Sequence, residues 1–220
     1  MFAVDHAATA LLIKRRFPSV PLTPLLLSVQ AMELAWVGLN YLGVERTTTE
    51  TSVRSIADIH LTYMPYSHSV ADAAGGALLA WLVVEKGLGR PLIGRAIGLG
   101  VFSHLVLDVM THAQDIALWP GSSLPALGLG LYDRAPMWGF ALEMAYGLLC
   151  WRVSRGTRPL LALIVAGNLS NLSFFSASIP GPERYLAGHP LMVVSVVFAQ
   201  IVTTLALVRV LAARTVQPGS

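Results

Sequence analysis

Long apolar runs separated by short polar segments dominate the chain. Six of them come close to, or reach, the length of about 20 residues with which a helix crosses the hydrocarbon core of a bilayer. They are Leu22 to Gly43, Ser67 to Glu85, Arg95 to Leu118, Pro136 to Val153, Pro159 to Ile179 and Pro190 to Leu211. A shorter run, Phe2 to Ile13, is expected to form a half-helix or a helix at the membrane surface. The pattern predicts an all-α integral membrane protein, a bundle of about six transmembrane helices plus a short N-terminal half-helix.

Composition supports the bilayer as the solvent. Apolar residues make up 55% of the 220 residues and charged residues only 12%, whereas about a quarter of a soluble domain is charged. The mean hydropathy of +0.64 agrees. These values exclude a disordered chain, a coiled coil and an ordinary water-soluble enzyme. The single cysteine, Cys150, cannot form an intramolecular disulfide, and nothing marks a second domain, so residues 1–220 are expected to form one polytopic membrane domain.

The basic residues indicate how the spans are oriented. Eleven of the fifteen Lys and Arg residues fall at alternate ends of the apolar runs, and only Arg46, Arg54, Arg134 and Arg184 fall at the opposite ends. By the positive-inside rule the eleven face the cytoplasm, which predicts an integral protein of the plasma (inner) membrane. Because these residues are scattered, the net charge of +3 does not indicate a nucleic-acid partner. The lipid bilayer is the expected partner.

Seven ionisable side chains lie inside the predicted spans, where each costs about 2.5 to 3.5 kcal/mol at the bilayer centre. They are Glu33, His68, Asp72, His104, Asp108, His112 and Glu143. Four of them belong to a repeated hexapeptide, S-H-x-V-x-D, which runs from Ser67 to Asp72 and from Ser103 to Asp108. Positions i and i+4 of a helix point in nearly the same direction, so each histidine is expected beside its aspartate. Two helices could therefore direct four such groups to one point.

Imidazole and carboxylate groups both bind Zn²⁺, Mn²⁺ and Fe²⁺, and the charge of the ion offsets the cost of burying the carboxylates. Ligands of one ion must lie at one depth. The predicted orientation places Glu33, His68 and Asp108 in the extracytoplasmic half of the bilayer, and His6 joins them if the first helix runs inward. The alternative for both hexapeptides is helix-to-helix hydrogen bonding. For Glu143 such hydrogen bonding is favoured, and a role as a general base is the alternative.

Four short motifs in roughly the first 120 residues occur in a characteristic order. They are an early histidine among small residues (His6), an acidic residue near the end of the next apolar run (Glu33), a T/S-H-S box (Ser67 to Ser69), and a box G-x-x-S-H-x-x-x-D-x-x-T (Gly100 to Thr111) followed by Trp119-Pro120. In these motifs the chain resembles the YdjM-like family, which is classed as inner-membrane-associated metal-dependent hydrolases. Only the last box is specific.

The resemblance implies that His6, Glu33, His68, His104 and Asp108 are metal ligands, and it leaves open whether one or two divalent ions are bound. Zn²⁺ is the first choice, with Mn²⁺ or Fe²⁺ as alternatives. It also makes residues 1–120 the half that holds the metal site and residues 121–220 a set of supporting helices.

The chain departs from the family pattern at three places. Glu33-Leu34-Ala35 stands where the family usually has an Asp-x-Asp pair, so one carboxylate is missing. The histidine that usually precedes the T/S-H-S box is absent, with Tyr63 near its place and His60 the nearest substitute. His112 occupies the position of a proline that follows the threonine of the last box.

The pattern favours a membrane-embedded metal-dependent hydrolase that acts on a lipid ester or phosphodiester through a metal-activated water. Asp72 and His112 are the predicted catalytic residues, because either could orient a ligand or accept the proton of the water. A proton- or ion-coupled transporter that uses the same His/carboxylate cluster is the alternative, although the chain has no repeat of whole span groups. A haem-binding cytochrome is a third hypothesis. The carboxylates beside His68 and His104 argue against it, because they favour a harder ion than haem iron.

Overall fold

The computed structural model describes residues 1–213 and is mainly helical, as the apolar pattern predicts. In chain order the helices are α1 (Ala3–Arg16), α2 (Leu22–Val29), α3 (Ala31–Tyr41), α4 (Val70–Leu82), α5 (Pro91–Thr111), α6 (Leu131–Arg134), α7 (Pro136–Ser154), α8 (Arg158–Ser170) and α9 (Pro190–Ala213). Two strands, β1 (Arg46–Thr49) and β2 (Ile59–Tyr63), lie between α3 and α4. One of the eleven basic residues used for orientation, Arg214, lies outside the described residues.

Helix α1 lies at the centre of the fold. It contacts α2, α5, α7, α8 and α9, and its alanines Ala7, Ala8 and Ala10 are almost completely buried. Small side chains let neighbouring helices approach an axis closely from several sides. The run predicted from Phe2 to Ile13 is therefore an enclosed short helix, and the alternative of a helix at the membrane surface is wrong.

Two helices among the described residues are long and apolar enough to cross a membrane by themselves, Pro91–Thr111 and Pro190–Ala212. The span predicted from Leu22 to Gly43 is a pair of helices, α2 and α3, that are bent by 52° relative to each other. Helix α8 has 13 residues and is shorter than the predicted span. Helix α4 also has 13 residues, but it continues directly into a π-helical turn, Val83–Gly87, so the helical segment covers most of the span predicted from Ser67 to Glu85. The structure thus contains two to three candidate spans by length and composition, and the six-span bundle stays a prediction.

A small antiparallel hairpin is an addition to the predicted all-α class. It lies in the connection between the first two predicted spans, where β1 pairs with β2 through Thr48 opposite His60 and Thr49 opposite Ile59. Three consecutive threonines in β1 favour a strand because they are β-branched. The hairpin packs against α9.

Helix α5 has an apolar outer face and a polar inner one. Leu99, Phe102 and Val106 are exposed, whereas His104 and Asp108 are completely buried within the fold. This distribution is the reverse of that on a soluble amphipathic helix and suits a helix whose outer face meets lipid.

Glycine at position 100 brings α5 close to α2. A Cβ atom at Gly100 would overlap the side-chain oxygen of Ser28. The C-terminal end of α2 is thereby placed beside the inner face of α5.

Candidate metal centre

Four imidazoles surround the buried carboxylate of Asp108. His104 Nε2 lies 2.9 Å from Asp108 Oδ2, and His68 Nε2 lies 3.6 Å from the same oxygen. His6 Nε2 lies 3.5 Å from Asp108 Oδ1, and His112 Nε2 lies 3.9 Å from it. These residues come from α1, the segment before α4, and the C-terminal part of α5, so the fold brings distant parts of the sequence to one carboxylate.

The donor residues fall into two overlapping groups. Donor atoms of His6, Glu33, His104 and Asp108 all lie within 4.8 Å of one another, as do donor atoms of His68, Asp108 and His112. Glu33 is half-buried, and the other five residues of the two groups are buried. Asp108 alone belongs to both groups. Four of the five residues that the resemblance implies as ligands form one group, and His68 belongs to the second, which shares Asp108 with the first. A buried His/Asp/Glu group that could hold a metal ion is present.

The orientation of His104 is fixed by the bend between α2 and α3. Val29 is the last residue of α2, and carbonyls in the last turn of a helix have no intrahelical partner. The Val29 carbonyl lies 3.1 Å from His104 Nδ1. A carbonyl can only accept, so Nδ1 carries a proton that it donates to Val29, and in the neutral ring the lone pair of Nε2 points to Asp108.

His68 is oriented by a chain of two hydrogen bonds. Ser67 Oγ donates to Glu45 Oε2 at 2.6 Å and lies 2.7 Å from His68 Nδ1. Because the serine proton is directed to Glu45, Ser67 Oγ accepts the Nδ1 proton of His68, and Nε2 again presents a lone pair. Glu45 is 1% exposed, and it also accepts hydrogen bonds from two backbone N–H groups of this segment.

Glu45 is a functional candidate that the sequence pattern does not indicate. It lies in a connection of mixed charge, where an acidic residue is typical of a solvated surface. The Ser67-His68-Ser69 box is the only hint of Glu45 in the sequence, because the hydroxyl of Ser67 needs an acceptor for its proton.

Three further atoms in the site lack hydrogen-bond partners among the described residues. Both ring nitrogens of His6 are unpartnered, and so is Asp108 Oδ2. Asp108 Oδ1 accepts a hydrogen bond from the amino group of Met1 at 2.8 Å. Buried unpartnered polar atoms are costly, and several of them facing one another indicate a missing cation.

The separations also fit a metal ion. Two atoms bound to a tetrahedral Zn²⁺ at about 2.1 Å lie about 3.4 Å apart. The distances of 3.5 Å from His6 and 3.6 Å from His68 to the Asp108 oxygens are close to that value, whereas the 2.9 Å from His104 Nε2 to Asp108 Oδ2 is a hydrogen-bond distance. The set of imidazoles and carboxylates, the fixed tautomers and the spacing all suit a divalent ion such as Zn²⁺, Mn²⁺ or Fe²⁺.

Asp72 lies outside both donor groups. Ser69 is the N-cap of α4, and its hydroxyl accepts from the Asp72 backbone N–H while it donates to Asp72 Oδ2 at 2.5 Å. The helix therefore begins at Val70, so His68 precedes it and is not one helical turn from Asp72. The predicted geometry is wrong for this hexapeptide, whereas His104 and Asp108 lie on one face of α5 as predicted.

Glu143 is completely buried but belongs to neither group. It accepts hydrogen bonds from the Tyr132 hydroxyl and from the Phe2 backbone N–H. These contacts link α7 to α6 and to the start of α1, which is the interhelical role expected from the sequence.

A cavity of about 150 Å³ adjoins the donor residues. Glu33 and His112 line it together with apolar side chains that include Trp36, Phe174 and Val193. Asp133, which is exposed and lies outside the candidate spans, also lines it, and partial desolvation together with the nearby Asp115 raises the pKa of this carboxyl. The cavity can hold an apolar group with a polar group next to the metal centre.

No protein-family model, no curated protein and no solved structure matches the chain. The resemblance to the YdjM-like family therefore stays a prediction from the motifs. The geometry of the site carries the functional argument.

Proposed function

We propose that the protein is an integral membrane hydrolase of the plasma (inner) membrane and that its metal site lies in the extracytoplasmic half of the bilayer. His6, Glu33, His104 and Asp108 would hold one divalent ion, Zn²⁺ in the first place. When bound, such an ion lowers the pKa of water and polarises the oxygen of an ester or phosphoryl group.

One observation carries this proposal, namely that a completely buried imidazole without hydrogen-bond partners faces the Asp108 carboxylate. Both ring nitrogens of His6 lack a hydrogen-bond partner among the described residues, and Nε2 lies 3.5 Å from Asp108 Oδ1. Helix-to-helix hydrogen bonding, the alternative for these residues, would need a proton between the two atoms. A cation bound by both satisfies them without one.

The cavity beside the site supports an amphiphilic substrate. Its apolar wall, formed in part by Trp36 and Phe174, would hold an acyl chain or a similar group, while Glu33 and His112 would lie near the bond that is hydrolysed. A water oxygen would form a bond to the carbonyl carbon or phosphorus, the bond to the alcohol oxygen would break, and a proton of the water would pass to that alcohol oxygen. A lipid ester or phosphodiester fits these requirements. Of the two residues predicted as proton acceptors, Asp72 is engaged in capping α4 and His112 lines the cavity.

The test uses the full-length protein purified in detergent. The wild type is expected to retain a divalent ion and to hydrolyse short-chain nitrophenyl esters or bis(nitrophenyl) phosphate in mixed micelles. The double variant His104→Ala/Asp108→Ala should lose both the metal and at least about 100-fold in kcat/KM, because it removes two ligands. Chelation should abolish activity, and added Zn²⁺ should restore it.

The control is His189→Ala, which changes an exposed histidine and should leave metal content and rate unchanged. A wild type that retains no metal after purification and gains no activity on metal addition would reject the proposal. Proton flux into proteoliposomes that persists after chelation would favour the transporter instead.

A further inference from the structure

The number of donors exceeds what one ion needs. Zn²⁺ in proteins usually takes four ligands, and His6, Glu33, His104 and Asp108 already form a group of four. His68 and His112 remain. They form a second group with Asp108, and all three residues are buried.

Both imidazoles of this second group have a polar group near Nδ1, on the side of the ring away from Asp108. Glu45 acts on His68 through Ser67, as described above. Asp115 Oδ1 lies 3.4 Å from His112 Nδ1, at ion-pair distance and without a hydrogen bond between the two atoms. A carboxylate behind an imidazole fixes its orientation and makes the other ring nitrogen a better ligand. Two imidazoles with such partners on their outer side, and with Nε2 directed to the same carboxylate, are the usual surroundings of a bound cation.

Two independent features point to a cation rather than to a hydrogen-bond network. His68 Nε2 and Asp108 Oδ2 are buried, 3.6 Å apart and without hydrogen-bond partners among the described residues. Both oxygens of Asp108 have a histidine of each group nearby, His104 and His68 at Oδ2, and His6 and His112 at Oδ1. A carboxylate approached in this way can bridge two ions, which in two-metal sites lie about 3.5 to 4 Å apart.

We propose that the protein binds two divalent cations, with Asp108 as the bridging ligand and with the second ion held by His68, Asp108 and His112. The proposal rests on the proposed function for the first ion. It assigns His112 as a ligand and not as the proton acceptor, because its Nε2 lone pair cannot serve both purposes. His112 stands at a position where the resembled family carries a proline, so this ligand comes from the present sequence alone.

Metal stoichiometry tests the proposal directly. The full-length protein is stripped with a chelator, reloaded with excess Mn²⁺ or Zn²⁺, desalted and analysed by mass spectrometry of the metal. The wild type should hold two ions per chain. His68→Gln and His112→Gln should each hold one, and Asp108→Ala should hold none. His60→Gln is the matched control, because this histidine is exposed and pairs with Glu50 on the hairpin, and it should hold two.

Electron paramagnetic resonance of bound Mn²⁺ distinguishes the loss of one ion from the loss of the folded site. Two Mn²⁺ ions bridged by a carboxylate are spin-coupled, so the wild type should show a coupled electron paramagnetic resonance spectrum. His112→Gln should show the six-line signal of an isolated ion. Anomalous scattering from the wild type, which needs no variant, should give two metal peaks.

The result that overturns the proposal is one ion per chain in the wild type, with no further loss in His112→Gln. The stoichiometry is independent of turnover, so the two proposals can fail separately. Two ions without hydrolysis would reject only the hydrolase, and one ion with hydrolysis would reject only the second site. A protein that binds no ion would reject both.

Discussion

At the scale of single residues, the site depends on groups that do not themselves face Asp108. A neutral imidazole offers one lone pair, and the partner of its other nitrogen decides which atom carries it. Here the partners are a main-chain carbonyl for His104 and a serine for His68. Metal affinity should therefore respond to changes at residues that contact no metal.

Glu45→Gln tests this dependence. Replacing one carboxylate oxygen by an NH₂ group removes the acceptor for the Ser67 hydroxyl, which would then donate to His68 Nδ1. That reversal moves the ring proton of His68 to Nε2 and blocks it as a ligand. We expect the affinity for Zn²⁺, measured by competition with a chromogenic chelator, to fall by about 10- to 100-fold.

The matched control for this change is Glu50→Gln. Glu50 lies on the same hairpin but is exposed and pairs with His60, so the same substitution there should leave the affinity unchanged. Equal affinities for Glu45→Gln and the wild type would show that His68 keeps its orientation without this hydrogen-bond chain.

At the scale of helices and strands, the spacing of i and i+4 residues on a helix predicts one part of the site correctly. It fails at another part, where a residue caps the helix instead of continuing it. His104 and Asp108 are four residues apart in the interior of α5, and the structure has them 2.9 Å apart. The same spacing fails for His68 and Asp72, because Ser69 caps α4 and its hydroxyl binds Asp72. An N-cap serine competes with continuation of the helix towards the N-terminus.

Other features of the site depend on contacts between segments that are distant in the sequence. The periodicity of apolar residues does not predict such contacts. The contact of Glu45 with Ser67 spans 22 residues, and that of His104 with Val29 spans 75. The proline of the apolar run from Leu22 to Gly43, Pro24, lies in the first turn of α2, and no proline stands at Gln30 to mark the 52° bend between α2 and α3. Hydrophobic patterning can predict the helical class, but it does not give these partners.

The approach of α2 to α5 at Gly100 leads to a prediction for this pair of helices. Gly100→Ala would place a methyl group on the side chain of Ser28 and force the two helices apart. Overpacking of this kind costs about 1 to 3 kcal/mol in the free energy of unfolding. It should also move the Val29 carbonyl away from His104 and weaken metal binding. Thermal denaturation in detergent, with and without Zn²⁺, measures both effects.

Gly75→Ala provides the comparison. A Cβ at Gly75, in α4, meets no atom within 4 Å, and alanine favours a helix by about 1 kcal/mol over glycine. This variant should be at least as stable as the wild type. If Gly100→Ala were equally stable, the close approach of α2 and α5 would not be needed for the site.

At the scale of the whole molecule, the polar groups of the candidate site are buried, and many large apolar side chains are exposed on the surface. Exposed residues of α5 and α9, such as Phe102, Val106 and Phe198, are apolar, whereas the histidines and Asp108 are enclosed. In water such a surface would drive aggregation, and in a bilayer it meets the acyl chains. The low dielectric of that surrounding also makes unpartnered groups at the site more costly, which strengthens the case for bound cations.

The orientation of the molecule in the membrane can be tested by cysteine labelling. In a Cys150→Ala background, Ser52→Cys places a thiol in the connection that carries the hairpin, and Leu88→Cys places one between α4 and α5. Both positions are exposed. The excess of Lys and Arg on the side of Leu88 predicts that this side faces the cytoplasm. A membrane-impermeant maleimide should therefore label Ser52→Cys in intact spheroplasts of a bacterial host and label Leu88→Cys only after lysis. Labelling of Leu88→Cys alone before lysis would invert the topology and place the metal centre near the cytoplasmic surface, which would direct the search for a substrate to that side of the membrane.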